Sequence, residues 1–95
     1  MDIAPPAEIE ERIREIAGAV GGVVALDMCR VRKSGLVHFV DLHVVVDGDI
    51  PVREGHLIAH AVKDALLAAP LAIQDVDVHI EPADRVGGSG GRKRV

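Results

Sequence analysis

Aromatic residues are nearly absent from this chain of 95 amino acids, which contains one Phe and no Trp or Tyr. Val, Ile, Leu and Ala must therefore fill the interior. With Phe39 and no Tyr or Trp, the chain also has little to stack on exposed nucleic-acid bases. Residues 1–84 carry 15 Asp and Glu against 7 Lys and Arg, hence a net charge of −8, which disfavours contact with phosphate backbones. Nucleic acid is not expected as a partner.

Cysteine and long apolar runs are also scarce. Cys29 is the only cysteine, so the sequence predicts no intrachain disulfide and contains no CxxC motif. No apolar run approaches the roughly 20 residues that span a bilayer, and the first residues, MDIAPPAEIEER, lack the basic and apolar regions of a signal peptide. These features predict a soluble, cytoplasmic chain without direct membrane insertion.

Apolar periodicity predicts five elements in the order helix, strand, strand, helix, strand. Helices are expected in PAEIEERIREIAGAV (6–20) and PVREGHLIAHAVKDALLAA (51–69), and strands in VVALDMCRVRK (23–33), LVHFVDLHVVVD (36–47) and IQDVDVHIEP (73–82). Ser34-Gly35 is typical of a tight turn, so the first two strands should form an antiparallel hairpin. The order predicts an α+β fold, αββαβ, with both helices on one face of a three-stranded sheet.

The same patterns predict which side of each element is buried. The expected core consists of Ile9, Ile13, Ile16 and Val20 on the first helix, Val40, Leu42, Val44 and Val46 on the second strand, Ile58, Ala61, Val62, Ala65, Leu66 and Ala69 on the second helix, and Val76, Val78 and Ile80 on the last strand. The other face of the sheet stays open. It carries Phe39 and Val45 beside polar side chains, which favours a dimer surface.

The folded domain is predicted to comprise residues 1–84. The remaining stretch, RVGGSGGRKRV (85–95), is rich in glycine and basic residues and offers nothing to bury. It is expected to be a flexible tail.

Histidines and carboxylates in the alternating strands suggest a metal site. The alternative is that the imidazoles of His43 and His79 are only hydrogen-bonded on a half-exposed sheet. His43 and His79 lie in two different strands, and Glu81, two residues after His79, must share its face of the strand. Imidazole and carboxylate groups together are common ligands of first-row divalent metals. His56, at the start of the second helix, is a further candidate from a third segment.

Four segments of the chain resemble a known family. The segments LDMCRVRKSG, VDLHVVVD, GHLIAHAVKDAL and VDVHIEP are similar to the C-terminal cytoplasmic domain of cation diffusion facilitator transporters, from about Pro6 to Pro82. That resemblance implies a metallochaperone-like (ferredoxin-like) αββαβ domain that dimerises and binds zinc or a related divalent cation. It assigns metal-ligand roles to Asp27, His43, His56, His79 and Glu81.

Other candidate ligands have simpler interpretations. His56 and His60 lie four residues apart, a spacing that can chelate a metal but is also common on solvated helices, and His60 is expected to support a ligand or lie at the surface. His38 is expected to be an edge or partly buried histidine. Cys29 is expected to be a small buried residue and not a ligand.

The predicted function is that of a zinc-binding, dimeric regulatory domain of, or related to, a cation efflux transporter. Metal would stabilise a closed dimer, and the membrane part of a transporter is a further possible partner. The alternative is a metal-independent dimerisation or protein-interaction module. An enzyme is not expected, because no Ser, His and Asp or Cys and His grouping has the motif context of a nucleophilic site. A metal-dependent hydrolase remains chemically allowed.

Overall fold

The computed structural model describes residues 6–83, which form two helices and three strands in the predicted order. The elements are α1 (Pro6–Gly18), β1 (Ala25–Ser34), β2 (Val37–Val46), α2 (Val52–Ala68) and β3 (Ile73–Pro82). The predicted tail, 85–95, lies outside the described residues, so the boundary at residue 84 stays a prediction.

The three strands form one sheet with β2 in the centre. β1 pairs with β2 in antiparallel register, through a two-residue turn at Gly35 and Leu36, as the hairpin signal predicts. Gly35 has a φ of +63°, a backbone conformation that glycine adopts without steric cost. β3 lies on the other side of β2 and runs parallel to it. The two strands are parallel because α2 carries the chain back to the end of the sheet at which β2 begins.

The core lies between the sheet and the two helices. Val40, Leu42, Val44 and Val46 of β2 are at most 3% exposed, as their alternation predicts. The helices contribute their apolar stripes to this core, with two local differences. On α1, Ala17 is fully buried whereas Ile16 only borders the core, and on α2 Ala61 is exposed. Successive helical residues are rotated by about 100° around the helix axis. When Ile13 and Ala17 face the core, Ile16 therefore lies at the border of the apolar stripe.

The connection from α1 to β1 approaches α2 closely at Gly22. A Cβ atom added there would lie 2.6 Å from Cδ1 of Ile58, a core side chain of α2. Gly22 also has a φ of +95°. Glycine at this position thus allows the loop to pack against the helix.

His38 is the main departure from the predicted burial. The sequence predicts an edge or partly buried histidine, but the side chain is 1% exposed. Its backbone N–H donates to the Ala72 carbonyl at 2.8 Å, and its Nδ1 lies 3.0 Å from the Leu71 carbonyl oxygen. Nδ1–H therefore donates to Leu71, and two bonds from one residue hold the turn before β3. Alternation along β2 predicts that His38 faces the helices. Its full burial arises because the turn at Leu71 and Ala72 packs over it in the folded chain.

Cys29 lies on the helix side of β1, packed against the core. Burial raises the pKa of its thiol from an ordinary value of 9.0 to about 11, with a further contribution from the Glu10 carboxylate that Arg14 opposes. The prediction of a small packed residue agrees with this environment. A neutral thiol is a poor metal ligand, because metals bind the thiolate.

Neither helix in the described part of the chain combines the length and the apolar character needed to cross a membrane.

The buried bond of His38 predicts a clear cost for its removal. We expect His38→Ala to lower the free energy of unfolding by about 2–4 kcal/mol, because it leaves a cavity and a Leu71 carbonyl without its donor. Urea unfolding of the metal-free chain measures this. His60→Ala, at an exposed position of α2, should change stability by about 0.5 kcal/mol or less. Equal losses in both variants would contradict the assignment.

The raised pKa of Cys29 predicts slow thiol chemistry. At pH 8 the folded chain should react with iodoacetamide roughly 100-fold more slowly than the urea-unfolded chain, since only the thiolate reacts and the two pKa values differ by about two units. The stability that this shift contributes should be complete below about pH 9 and be lost as the pH rises toward 11. Mass spectrometry follows the single modification. Equal rates in the two states would contradict the raised pKa of Cys29.

Candidate metal centre

The open face of the sheet brings together ligands from two parallel strands. His43 of β2 and His79 of β3 are direct register partners, and their ring centroids lie 5.0 Å apart at an interplanar angle of 52°. Side chains of directly paired residues project on the same side of a sheet. The register thus turns two histidines that are distant in sequence into neighbours.

Glu81 lies one step further along the same face. Its Oε2 atom is 2.7 Å from Nδ1 of His43, and the two side chains are 36% and 30% exposed. Nδ1–H of His43 therefore donates to the carboxylate, which fixes the tautomer and leaves Nε2 with a free lone pair. A carboxylate that holds an imidazole in this way is the usual partner of a metal-binding histidine.

Asp27 reaches the same place through a β-bulge. Leu26 pairs with Val44 and Met28 pairs with His43, so Asp27 is the extra residue of β1. The bulge reverses the alternation, because Leu26 and Cys29, three residues apart, both pack against the core. A regular strand would place those two residues on opposite faces.

The resulting group is compact enough to hold one ion. Asp27, His43 and Glu81 each offer a ligand atom within 4.8 Å of the others. Ligand atoms about 2.0–2.2 Å from a zinc ion lie roughly 3–3.5 Å from one another, so small side-chain rotations would close this group around a cation. With the adjacent His79 the donor set is two imidazoles and two carboxylates. The chemistry of this set fits zinc and neighbouring divalent metals, and the spacing of Asp27, His43 and Glu81 suits one ion. We refer to Asp27, His43, His79 and Glu81 as the sheet-face cluster.

The fifth predicted ligand, His56, is not part of this cluster. It is exposed on α2, and its Nε2 atom lies 3.1 Å from Nε2 of His60. The sequence predicts a supporting or surface role for His60. The four-residue spacing was the signal that the two rings could meet.

Two grooves flank α2. A cavity of about 410 Å³ is lined largely by apolar residues at the start of α2 and the ends of β2 and β3, including Val52, Ile80 and Pro82. A second, of about 240 Å³, lies between α2 and β3. His56 borders both of them. The polar side chains that line the first cavity are those of Asp47 and His56.

A family model supplies the wider context. Residues 5–83 match the model described as the cytoplasmic domain of cation efflux proteins. Among individual relatives, the cation-efflux pump FieF of Cronobacter sakazakii is 33% identical over 86 residues, which are 90% of this chain and 28% of that protein. FieF of Escherichia coli is 29% identical over 95 residues, which are 100% of this chain and 31% of that protein. The chain therefore spans less than a third of the length of these pumps.

Solved structures agree with the fold. The MamM C-terminal domain superposes with a TM-score of 0.79 at 28% identity and covers 81% of this chain and 98% of its own. A cadmium form of a MamM variant gives 0.79 at 29% identity, covering 82% and 96%. A nickel form of another gives 0.79 at 27%, covering 82% and 99%.

These matches confirm three predictions, namely the family, the metallochaperone-like αββαβ fold and a cytoplasmic location for the domain. The chain belongs to the cation efflux family, whose cytoplasmic domain it matches from residue 5 to residue 83.

Proposed function

We propose that this chain is a dimeric regulatory domain that binds zinc or a related divalent cation at the sheet-face cluster. The observation that carries the proposal is the meeting of Asp27, His43 and Glu81 within 4.8 Å, beside the ring of His79. The cluster is partly open to solvent, so an ion has access to it.

Electrostatics gives the cluster a reason to bind a cation. Asp27 and Glu81 bring two carboxylates to one place, and the chain as a whole carries a net charge of −4. A divalent ion offsets the repulsion between these carboxylates and uses lone pairs that otherwise face water. Imidazole and carboxylate ligands accept zinc, cobalt, nickel, copper and manganese. The cadmium and nickel forms of the MamM domain support a divalent ion as ligand without selecting zinc.

Dimerisation is the second part of the proposal. Phe39 and Val45 lie half-buried on the same open face as His43, and the matching family model, ZT_dimer, is named for a dimer. An ion bound between two such faces would neutralise acidic groups that otherwise keep two copies apart. Metal shifts the dimer only as far as it binds the closed arrangement more tightly than the open one.

His56 remains a proposed metal ligand, although it lies apart from the sheet-face cluster. Within its own chain its ring contacts that of His60.

The proposed role is regulatory and not catalytic, and the membrane part of a cation efflux transporter is the proposed partner. The match to FieF supports this partner, because those pumps are about three times longer than the region they share with this chain. A metal-independent dimerisation module is the second candidate. It is favoured by the apolar side chains of Phe39 and Val45 on the open face.

Thermal unfolding tests the metal site. Zinc at about 100 times its dissociation constant should stabilise the chain by about 2.7 kcal/mol and raise the unfolding midpoint by on the order of 10 °C. We expect the His43→Ala, His79→Ala double variant and Asp27→Asn to lose most of this shift. Glu11→Gln, which removes a carboxylate from an exposed position of α1, is the matched control and should keep it. An undiminished shift in Asp27→Asn and in the double variant would exclude the cluster.

Sedimentation velocity distinguishes the two candidate functions. If metal closes a dimer, zinc should tighten self-association of the unaltered chain, and the His43→Ala, His79→Ala variant should not respond. The metal-independent module predicts the same dimer with zinc, with a chelator and in the variant. Phe39→Asp should weaken the dimer in both cases, because it places a charge in the shared apolar surface.

A further inference from the structure

The histidine pair on α2 is already arranged as a chelate. His56 and His60 are both exposed, and their rings meet edge to face, with centroids 4.5 Å apart at an angle of 78°. Their Nε2 atoms are 3.1 Å apart. This contact is a hydrogen bond, in which Nε2–H of one ring donates to the lone pair of the other, and a metal ion bound to both rings would take the place of the shared proton. We refer to His56 and His60 as the helix pair.

The spacing of the two nitrogens matches the bite of a metal ion. For an ion placed about 2.05 Å from each Nε2 atom, the angle between the two nitrogen–metal bonds would be about 100°. This lies between the ideal tetrahedral and octahedral values, so the separation of the two nitrogens already suits a metal ion. Residues four apart on a helix share one face and are held there by the backbone, which lowers the entropy cost of chelation.

The surroundings of the helix pair admit a hydrated cation. The 240 Å³ groove between α2 and β3 is bordered by both histidines, by Lys63 and, on the opposite wall, by Asp77. Lys63 is the nearest cation in this groove, and its Nζ lies 3.3 Å from Oδ1 of Asp75. Its charge is thus engaged by a carboxylate. Asp77 adds negative potential on the far side, and water can fill the remaining coordination positions.

We propose that His56 and His60 form a second, bidentate metal site on α2, separate from the sheet-face cluster. Two imidazoles completed by water suit copper(II), nickel(II) and zinc, and copper(II) should bind most tightly of the three. With two protein ligands the helix pair should bind more weakly than the sheet-face cluster with four. This inference goes beyond the proposed function and does not depend on it.

A copper titration isolates this site. The background variant carries Asp27→Asn, His43→Ala and Glu81→Gln, which disable the sheet-face cluster, and circular dichroism confirms that it is folded. Calorimetry with copper(II) as the only added ion should show one binding event. Adding His60→Ala should abolish that event.

The matched control keeps the number of histidines and changes only their spacing. His60→Ala combined with Ala61→His places the second imidazole five residues from His56, on a different side of the helix, at another exposed position. We expect this variant not to bind. Copper binding that survives His60→Ala, or that returns with Ala61→His, would overturn the chelate.

Nuclear magnetic resonance of the unaltered chain gives an independent measurement. On addition of zinc beyond saturation of the sheet-face cluster, the ring ¹⁵N signals of His56 and His60 should shift together. A shift of His56 without His60 would overturn the proposal and assign His56 to a different site.

Discussion

The alternation of side chains along β2 is the constraint on which the rest of the structure depends. Val40, Leu42, Val44 and Val46 face the helices, and the residues between them, including His43, face outward. Because the side-chain period of a strand is two, a slip of one residue would bury His43 and expose Leu42. Burial of the apolar set therefore also fixes the side of the sheet on which the proposed metal ligands lie.

The pairing of β1 and β3 with β2 decides which of their residues lie on the same face as His43. β3 pairs in parallel with β2, so that His79 lies beside His43 and Glu81 beside Val45. β1 pairs on the other side, and its bulge presents Asp27 on the ligand face while Cys29 stays in the core. The sheet-face cluster is thus a product of strand register, and its ligands come from three separate strands.

The five histidines of the chain lie in three environments that give the same ring three different roles. His38 is enclosed and holds a turn through its Nδ1–H, so its contribution is to stability. His43 and His79 lie on a half-exposed sheet beside carboxylates, where the lone pairs are available to a cation. His56 and His60 lie on a helix beside an aqueous groove. Residue type alone does not separate these roles, because burial and the nearest partner decide what the imidazole can do.

The two proposed sites, one on the open face of the sheet and one on α2, would fill over different ranges of metal concentration because they differ in the number of protein ligands. The sheet-face cluster lies on the surface that also carries Phe39 and Val45, so the proposed metal binding there would be coupled to the proposed dimerisation. The helix pair lies beside β3 and α2, away from that surface. An ion there would stabilise α2 in its own chain without bridging two copies.

The sequence by itself determined the order of elements, the hairpin at Gly35 and the two faces of β2, because these depend on short-range periodicity and on turn chemistry. It also indicated the ligand types, and the resemblance to cation diffusion facilitator domains named five candidate positions. Only the tertiary structure decided which of them meet. Asp27 turns to the ligand face through a bulge that alternation does not encode, and His56 pairs with His60 instead of joining the cluster. His38 is buried because a distant turn covers it. Register, bulges and packing between elements depend on contacts across the whole chain, which local patterns cannot specify.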